Sequence, residues 1–311
     1  MANSDTSPQP TPTVISFDEI INKNCKNRVR TMMQEWAQEL ERLAAKFRAG
    51  EAQVAAQFFT QKRPLHEHAA WLRFQVAREA RNLEEIASHQ RCKLVEQVEG
   101  TVTREDLVHL LTEDYQEVRH YAMLAYLYEG LTGEKIRWRE LRETAKAAPW
   151  YELSRQEHRR WAEFKEKGSE LELAAALFTR GGGGALFYGF IGLQGGDYEY
   201  LLAEASKIIL NDELEHGASE GRDELFKLIQ KPEDVEIAKK IIIEMSQIRL
   251  EMRNEQFSRP LSEKRLVEIA TGRIKPLTID EMLRACQTRV PDWVQIYHRK
   301  QMPLSNESVL N

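Results

Sequence analysis

The chain has 311 residues, 42% hydrophobic and 30% charged, with 49 acidic against 44 basic side chains and a formal net charge of −5. This is enough apolar material for a sizeable core in one large domain or two average ones. The charges are interleaved, which leaves no basic block of the kind that binds nucleic acid, and no run of 18 apolar residues is present to span a membrane. Cys25, Cys92 and Cys286 are too few and too scattered for a disulfide scaffold or a zinc ribbon, a usage that suits the reducing cytoplasm.

Residues 1–16 are rich in Ser, Thr and Pro, lack the basic and apolar regions of a signal peptide, and read as a disordered tail. Helix formers in helix-period stretches dominate the rest of the chain. A first helix is expected from about Phe17 to Gly50, carrying Met33, Trp36, Leu40, Leu43 and Phe47. A second runs from Pro64 to Glu99, with an apolar stripe of Leu72, Val76, Leu83 and Ile86. Gly100–Thr103 breaks it, and Thr103, with Asp106 three residues on, caps a third helix ending near Gly130–Gly133.

Lys135–Gly168 reads as shorter connecting helices. An apolar segment begins at Ser169, and eight of the sixteen glycines fall between Gly181 and Gly196. Four consecutive glycines disfavour a regular helix by about 1 kcal/mol each relative to alanine. No Gly-Lys-Ser/Thr comes after them to make a phosphate loop, so they read as a site of close backbone packing, or as a channel beside a site. A long helix from Asp197 to about Gln230 and another from Pro232 to about Ser258 complete the pattern, before short amphipathic pieces and a polar tail at 291–311. The expected fold class is all-α, a single helical domain over 17–290.

Two Glu-x-x-His elements lie inside long helices, Glu117-Val-Arg-His120 and Glu213-Leu-Glu-His216. Residues three apart share a helix face, so each element aims a carboxylate and an imidazole at one point. Both faces are otherwise partly apolar: Leu110, Tyr121 and Leu124 flank Glu117, and Leu202, Ile209 and Leu210 flank Glu213. Charged groups there are costly unless paired or bound to metal. His66-Glu67-His68 alternates around a helix start and is expected at the surface.

On these two motifs and the helix order, the chain resembles the ferritin-like di-iron carboxylate superfamily over about residues 65–230, and its length places it nearer the oxidase and oxygenase branches than storage ferritins. The resemblance implies a ferritin-like four-helix bundle with additional N- and C-terminal helices. Two of its helices each give one Glu, and the other two each give Glu-x-x-His. It further implies two Fe ions, or Mn in their place, with Glu117 and Glu213 bridging, His120 and His216 as nitrogen ligands, and dioxygen as co-substrate. The site would serve a small-molecule substrate, an electron-donor protein could feed it, and a homodimer is compatible with the long helix faces.

Counting depth from the turn at Gly100–Thr103 puts the first single carboxylate at Glu84, with Glu79 second. For the third helix, the window 178–184 opposite Glu213 holds no carboxylate. Glu172 could serve if the helix is bent, or the site could lack this ligand. Glu113 or Glu220 could supply an extra one. Tyr115, Tyr121, Tyr126 and Tyr128 crowd the first motif helix, where one could bond a ligand or carry an electron. Two other functions stay open: a helical interaction or scaffold protein with a degenerate metal site, and a non-redox metal-binding ferritin-like protein.

Overall fold

A computed structural model describes residues 17–80, 103–148, 150–180 and 184–286. Among these described residues it contains eleven helices and no strand. They are α1 (Phe17–Phe59), α2 (65–80), α3 (Arg104–Thr132), α4 (Trp138–Lys146), α5 (Tyr151–Glu166), α6 (Glu170–Arg180), α7 (Ala185–Tyr188), α8 (Asp197–Leu228), α9 (Pro232–Gln256), α10 (Glu263–Ala270) and α11 (Ile279–Cys286). By its contacts the chain divides into Met1–Glu39, described as the first stretch of α1, and Leu40–Asn311, which holds all the other helices. No helix among the described residues is long and apolar enough to cross a membrane.

The helix boundaries follow local chemistry. α3 stops at Gly133, whose φ of +73° suits a residue without Cβ. α8 starts at Gly196, whose amide donates to the Glu199 carboxylate at 3.0 Å. α9 opens on Pro232, with Asp234 accepting from the amides of Gln230 and Lys231. α1 departs from expectation, because it continues through Gly50 to Phe59. A Cβ at Gly50 would lie 2.7 Å from Ile269 Cγ2 and 3.1 Å from Leu250 Cδ1, so this glycine lets α9 and α10 close on α1 rather than ending the helix. Gly189 serves likewise, since a Cβ there would lie 2.7 Å from Ala55 Cβ on α1.

Among the described residues, a large cluster of buried side chains joins most of these helices. α3 packs on α8, α6 on α8 and α9, α5 on α6 and α9, and α11 on α8. Val54 and Phe58 of α1, Trp71, Leu72 and Val76 of α2, and Met123, Leu124 and Leu127 of α3 are buried in it with Leu202, Ile209 and Leu210 of α8. At one end Trp71 stacks on Phe190 (ring centroids 5.3 Å apart) and leans on Phe257 at 5.1 Å.

His66 is exposed as expected, but His68 is buried, because residue 68 falls on the face of α2 that Trp71 also occupies. Its ring lies edge-on to Phe58, Phe59 and Tyr198 at 5.1–5.6 Å. Burial, with the neighbouring Arg63 charge, pushes its pKa down to about 4. An unfolded histidine titrates at about 6.5. Above that pH both states are neutral. As the pH falls toward 4 the unfolded chain takes up a proton that the folded chain refuses, so stability drops; below 4 the loss levels off. In urea unfolding, the fall in midpoint between pH 6.5 and 4 is expected to be shallower for His68→Phe than for the wild type, with the two curves running parallel above pH 7.

Candidate metal centre

Three helices bring ionisable groups to one place in the core. α2 buries Val76, Ala77 and Ala80, and this same buried stretch carries Glu79 inward, 5% exposed. α3 contributes Glu117 and His120, which share a face. Glu79, Glu117 and His120 each offer a ligand atom within 4.8 Å of the others. α8 brings Asp212 against His120, and Glu213 close enough for its charge to act on Glu79 and His120.

Asp212 governs the imidazole. Its Oδ2 lies 2.8 Å from His120 Nε2 and also accepts from Arg119 Nη2, while Oδ1 accepts from Gln116 Nε2 at 3.3 Å. Burial works against the Asp212 charge, but the hydrogen bonds from His120 and Arg119 hold its pKa below the ordinary value. With Nε2 committed to a carboxylate, His120 turns Nδ1 toward Glu117, whose Oε2 is 3.9 Å away. That Nδ1 is buried with no hydrogen-bond partner among the described residues. Burial would depress the imidazole pKa, but Asp212, Glu213, Glu79 and Glu117 together hold it above its usual value. Glu79 is pushed upward, first by burial and then by the Glu213 charge, against the pull of His120, Arg78 and Gln75.

Glu117 and His120 therefore come together, and their described partner on α2 is Glu79, ranked second on the sequence. Glu84 lies outside the described residues. Glu213 is near enough for its charge to act on both Glu79 and His120, though it does not join the group of three. His216 continues the α8 backbone, and its side chain, like that of Glu220, lies outside the described residues. Glu172 and Glu113 are half-buried on α6 and α3 and do not enter the group. What faces Glu213 is Gly184, where a Cβ would lie 3.3 Å from Glu213 Cβ and 2.5 Å from Leu210 Cδ1. Close backbone packing is thus the role of this last glycine of the run; Gly181–Gly183 lie outside the described residues.

Tyr115 and Tyr126 are exposed, and the Tyr128 hydroxyl donates to Glu134 beyond the end of α3. Asp212 and Gln75 escape a reading of the sequence. Asp212 directly precedes a motif glutamate, and Gln75 lies one turn before Glu79, spacings that mark both as candidate supports.

A second buried polar cluster adjoins the first. Arg249 of α9 donates to both oxygens of Glu51 on α1 at 3.3 Å and lies 3.6 Å from Glu157 of α5. Arg253 donates to Glu51 at 3.4 Å and to Gln256 Oε1 at 2.9 Å. From Gln256 the hydrogen bonds continue to Gln75 and then to Glu79. Burial opposes the Arg249 charge, but Glu51 and Glu157 hold its pKa above the ordinary value. Burial and the nearby Arg78 push Arg253 down to about 9 despite Glu51, which leaves it charged at neutral pH. Removing one side of a buried pair strands the other charge. Glu51→Leu is expected to lower unfolding free energy by about 3–5 kcal/mol, measured by urea denaturation followed by circular dichroism.

Compared with family models, with curated proteins and with solved structures, the chain matches none.

Proposed function

We propose that the chain is a non-haem di-iron oxidase or oxygenase that oxidises a small organic substrate with dioxygen. The observation that carries this reading is the buried His120 Nδ1, which has no hydrogen-bond partner among the described residues and is held beside two carboxylates by a fixed Asp212 contact at its other nitrogen. A metal-binding histidine needs its second nitrogen engaged in this way. The charges point the same way. The carboxylates of Glu79, Glu117, Asp212 and Glu213 all act on the one His120 imidazole, a concentration of negative charge that a buried site tolerates best with divalent cations.

In this reading Glu79 is the single carboxylate of the first bundle helix, Glu117 and His120 are the first motif, and Glu213 and His216 the second. The packing of α3 and α6 on α8 suits a ferritin-like arrangement of α2, α3, α6 and α8. Two Fe ions, or Mn in their place, would supply the electrons that activate dioxygen. The protein's own part is to keep water out of the core, to hold the carboxylates ready to shift, and to fix the imidazole through Asp212. An electron-donor protein would restore the reduced state, and the scattered cysteines suit a cytoplasmic setting. Val108, Leu111, Tyr115 and Val118, spaced three and four apart on the exposed side of α3, offer a face for a homodimer.

Gly184 favours one competing reading, a helical interaction protein whose site has lost a ligand. Elemental analysis separates the two, on protein expressed with added iron and purified without chelator. About two irons per chain are expected for a complete carboxylate bundle, with His120→Ala and His216→Ala each losing metal while retaining helix content by circular dichroism. Well-folded wild-type protein without metal would overturn the di-iron reading and favour the interaction protein.

A further inference from the structure

The hydrogen-bond chain that ends on Glu79 has a direction, and its far end sets that direction. Arg253 has donors only, so the group facing its Nη1 at 2.9 Å has to be the oxygen of the Gln256 amide. The other end of that amide, Nε2, then donates to Gln75 Oε1 at 2.8 Å. Gln75 is left with Nε2 to offer Glu79, and it donates to Oε1 at 2.5 Å. Each amide has one accepting and one donating end, so the orientation imposed at Arg253 passes unchanged to the carboxylate.

The surroundings make the chain hard to reverse. Arg253 and Gln75 are 2% exposed, and Gln256 and Glu79 are 5% exposed, so water does not readily replace a link. Arg253 is pinned by Glu51. The end of α9 is pinned by Asn254, which bonds the Leu261 backbone through both ends of its amide at 3.0 Å. Ser258 and Arg259 come next in left-handed conformations (φ 56° and 54°), a costly pair that persists where surrounding contacts impose it. Gln256, the last residue of α9, is therefore presented from a fixed helix end.

We propose that Arg253 acts through Gln256 and Gln75 to present a donor to Glu79 Oε1, which orients this carboxylate so that its other oxygen is offered to metal. Arg253, Gln256 and Gln75 are positioning residues, and their role rests on the metal reading above. Two neutral amides carry the influence of a buried cation from α9 to α2 without placing a second full charge against the site.

The test reverses the chain while changing almost no volume. In Gln256→Glu the new carboxylate still accepts from Arg253, but it presents an oxygen to Gln75. The Gln75 amide then turns, and its own oxygen faces Glu79. Gln256→Met removes the link without turning it. In anaerobic Fe(II) titrations of the full chain, Gln256→Met, which drops the support without opposing it, is expected to bind about 3–10-fold more weakly than wild type, and Gln256→Glu, which turns an oxygen on Glu79, about 10–100-fold more weakly. Adding Gln75→Met to Gln256→Glu removes the opposing oxygen and is expected to recover most of the loss, a rescue that general destabilisation would not give. Equal affinities for the two Gln256 variants, or a double variant weaker than Gln256→Glu alone, would overturn the proposal. Wild-type protein that takes up no Fe(II) would overturn it together with the metal reading. If melting curves show Gln256→Glu unfolded, Arg253→Lys against Arg253→Met decides: the lysine keeps a donor and the affinity, the methionine loses both, and equal affinities refute the relay.

Discussion

Arg249 and Arg253 stand one turn apart on α9, both essentially without solvent contact, and Glu51 of α1 lies against the two of them. A guanidinium withdrawn from water has to find its compensation within the protein, and this requirement organises the surrounding helices. It draws α1 against α9, an approach that the missing side chain at Gly50 makes room for. It draws in α5 through Glu157, so that two arginines meet two carboxylates. Arg253 also donates to Gln256, and from there the polar network crosses to α2.

The neighbouring group on α2, α3 and α8 is built the other way, with several carboxylates gathered around one imidazole. Burial and then the Glu213 charge move the proton affinity of Glu79 upward, and the surrounding carboxylates raise that of His120 against its burial. The two clusters differ in character for a physical reason. The arginine side pairs cation with anion and behaves as a fastening, whereas the carboxylate side concentrates acceptor oxygens, which is what a ligand site requires. Between them stand two amides, which transmit orientation but no net charge.

Much of the fold is legible from local chemistry. The glycine after α3, the Pro-Glu-Asp opening of α9 and the 3.6-residue periodicity place helix ends within a few residues. The pairing of Glu117 with His120 follows from spacing alone, because neighbours on one helix face need no tertiary information. Whatever depends on a second element is not legible in this way. Depth counted from an assumed turn sets Glu79 behind Glu84; the structure brings Glu79 to Glu117 and His120, and Glu84 lies outside the described residues. Gly50 resembles a helix stop because the sequence does not reveal Ile269 and Leu250 waiting opposite it. His68 looks like a surface residue beside His66, although two residues on a helix are 200° apart and need not share a fate. Asp212 draws no notice because its meaning lies in a residue 92 positions away.

The fastening between α1 and α9 also has a consequence in time. Glu51 and its two arginines are separated by 198 and 202 residues of sequence. On a ribosome adding about 5–20 residues per second, Glu51 emerges roughly 10–40 s before either partner exists. During that interval the core-facing side of α1 has no α9 to close upon, and loop closure across so long a span is slow even once the chain is complete. A helix made well before α9 is thus locked only after it, and a nascent chain interrupted anywhere before α9 would expose that apolar surface to whatever holds unfinished proteins.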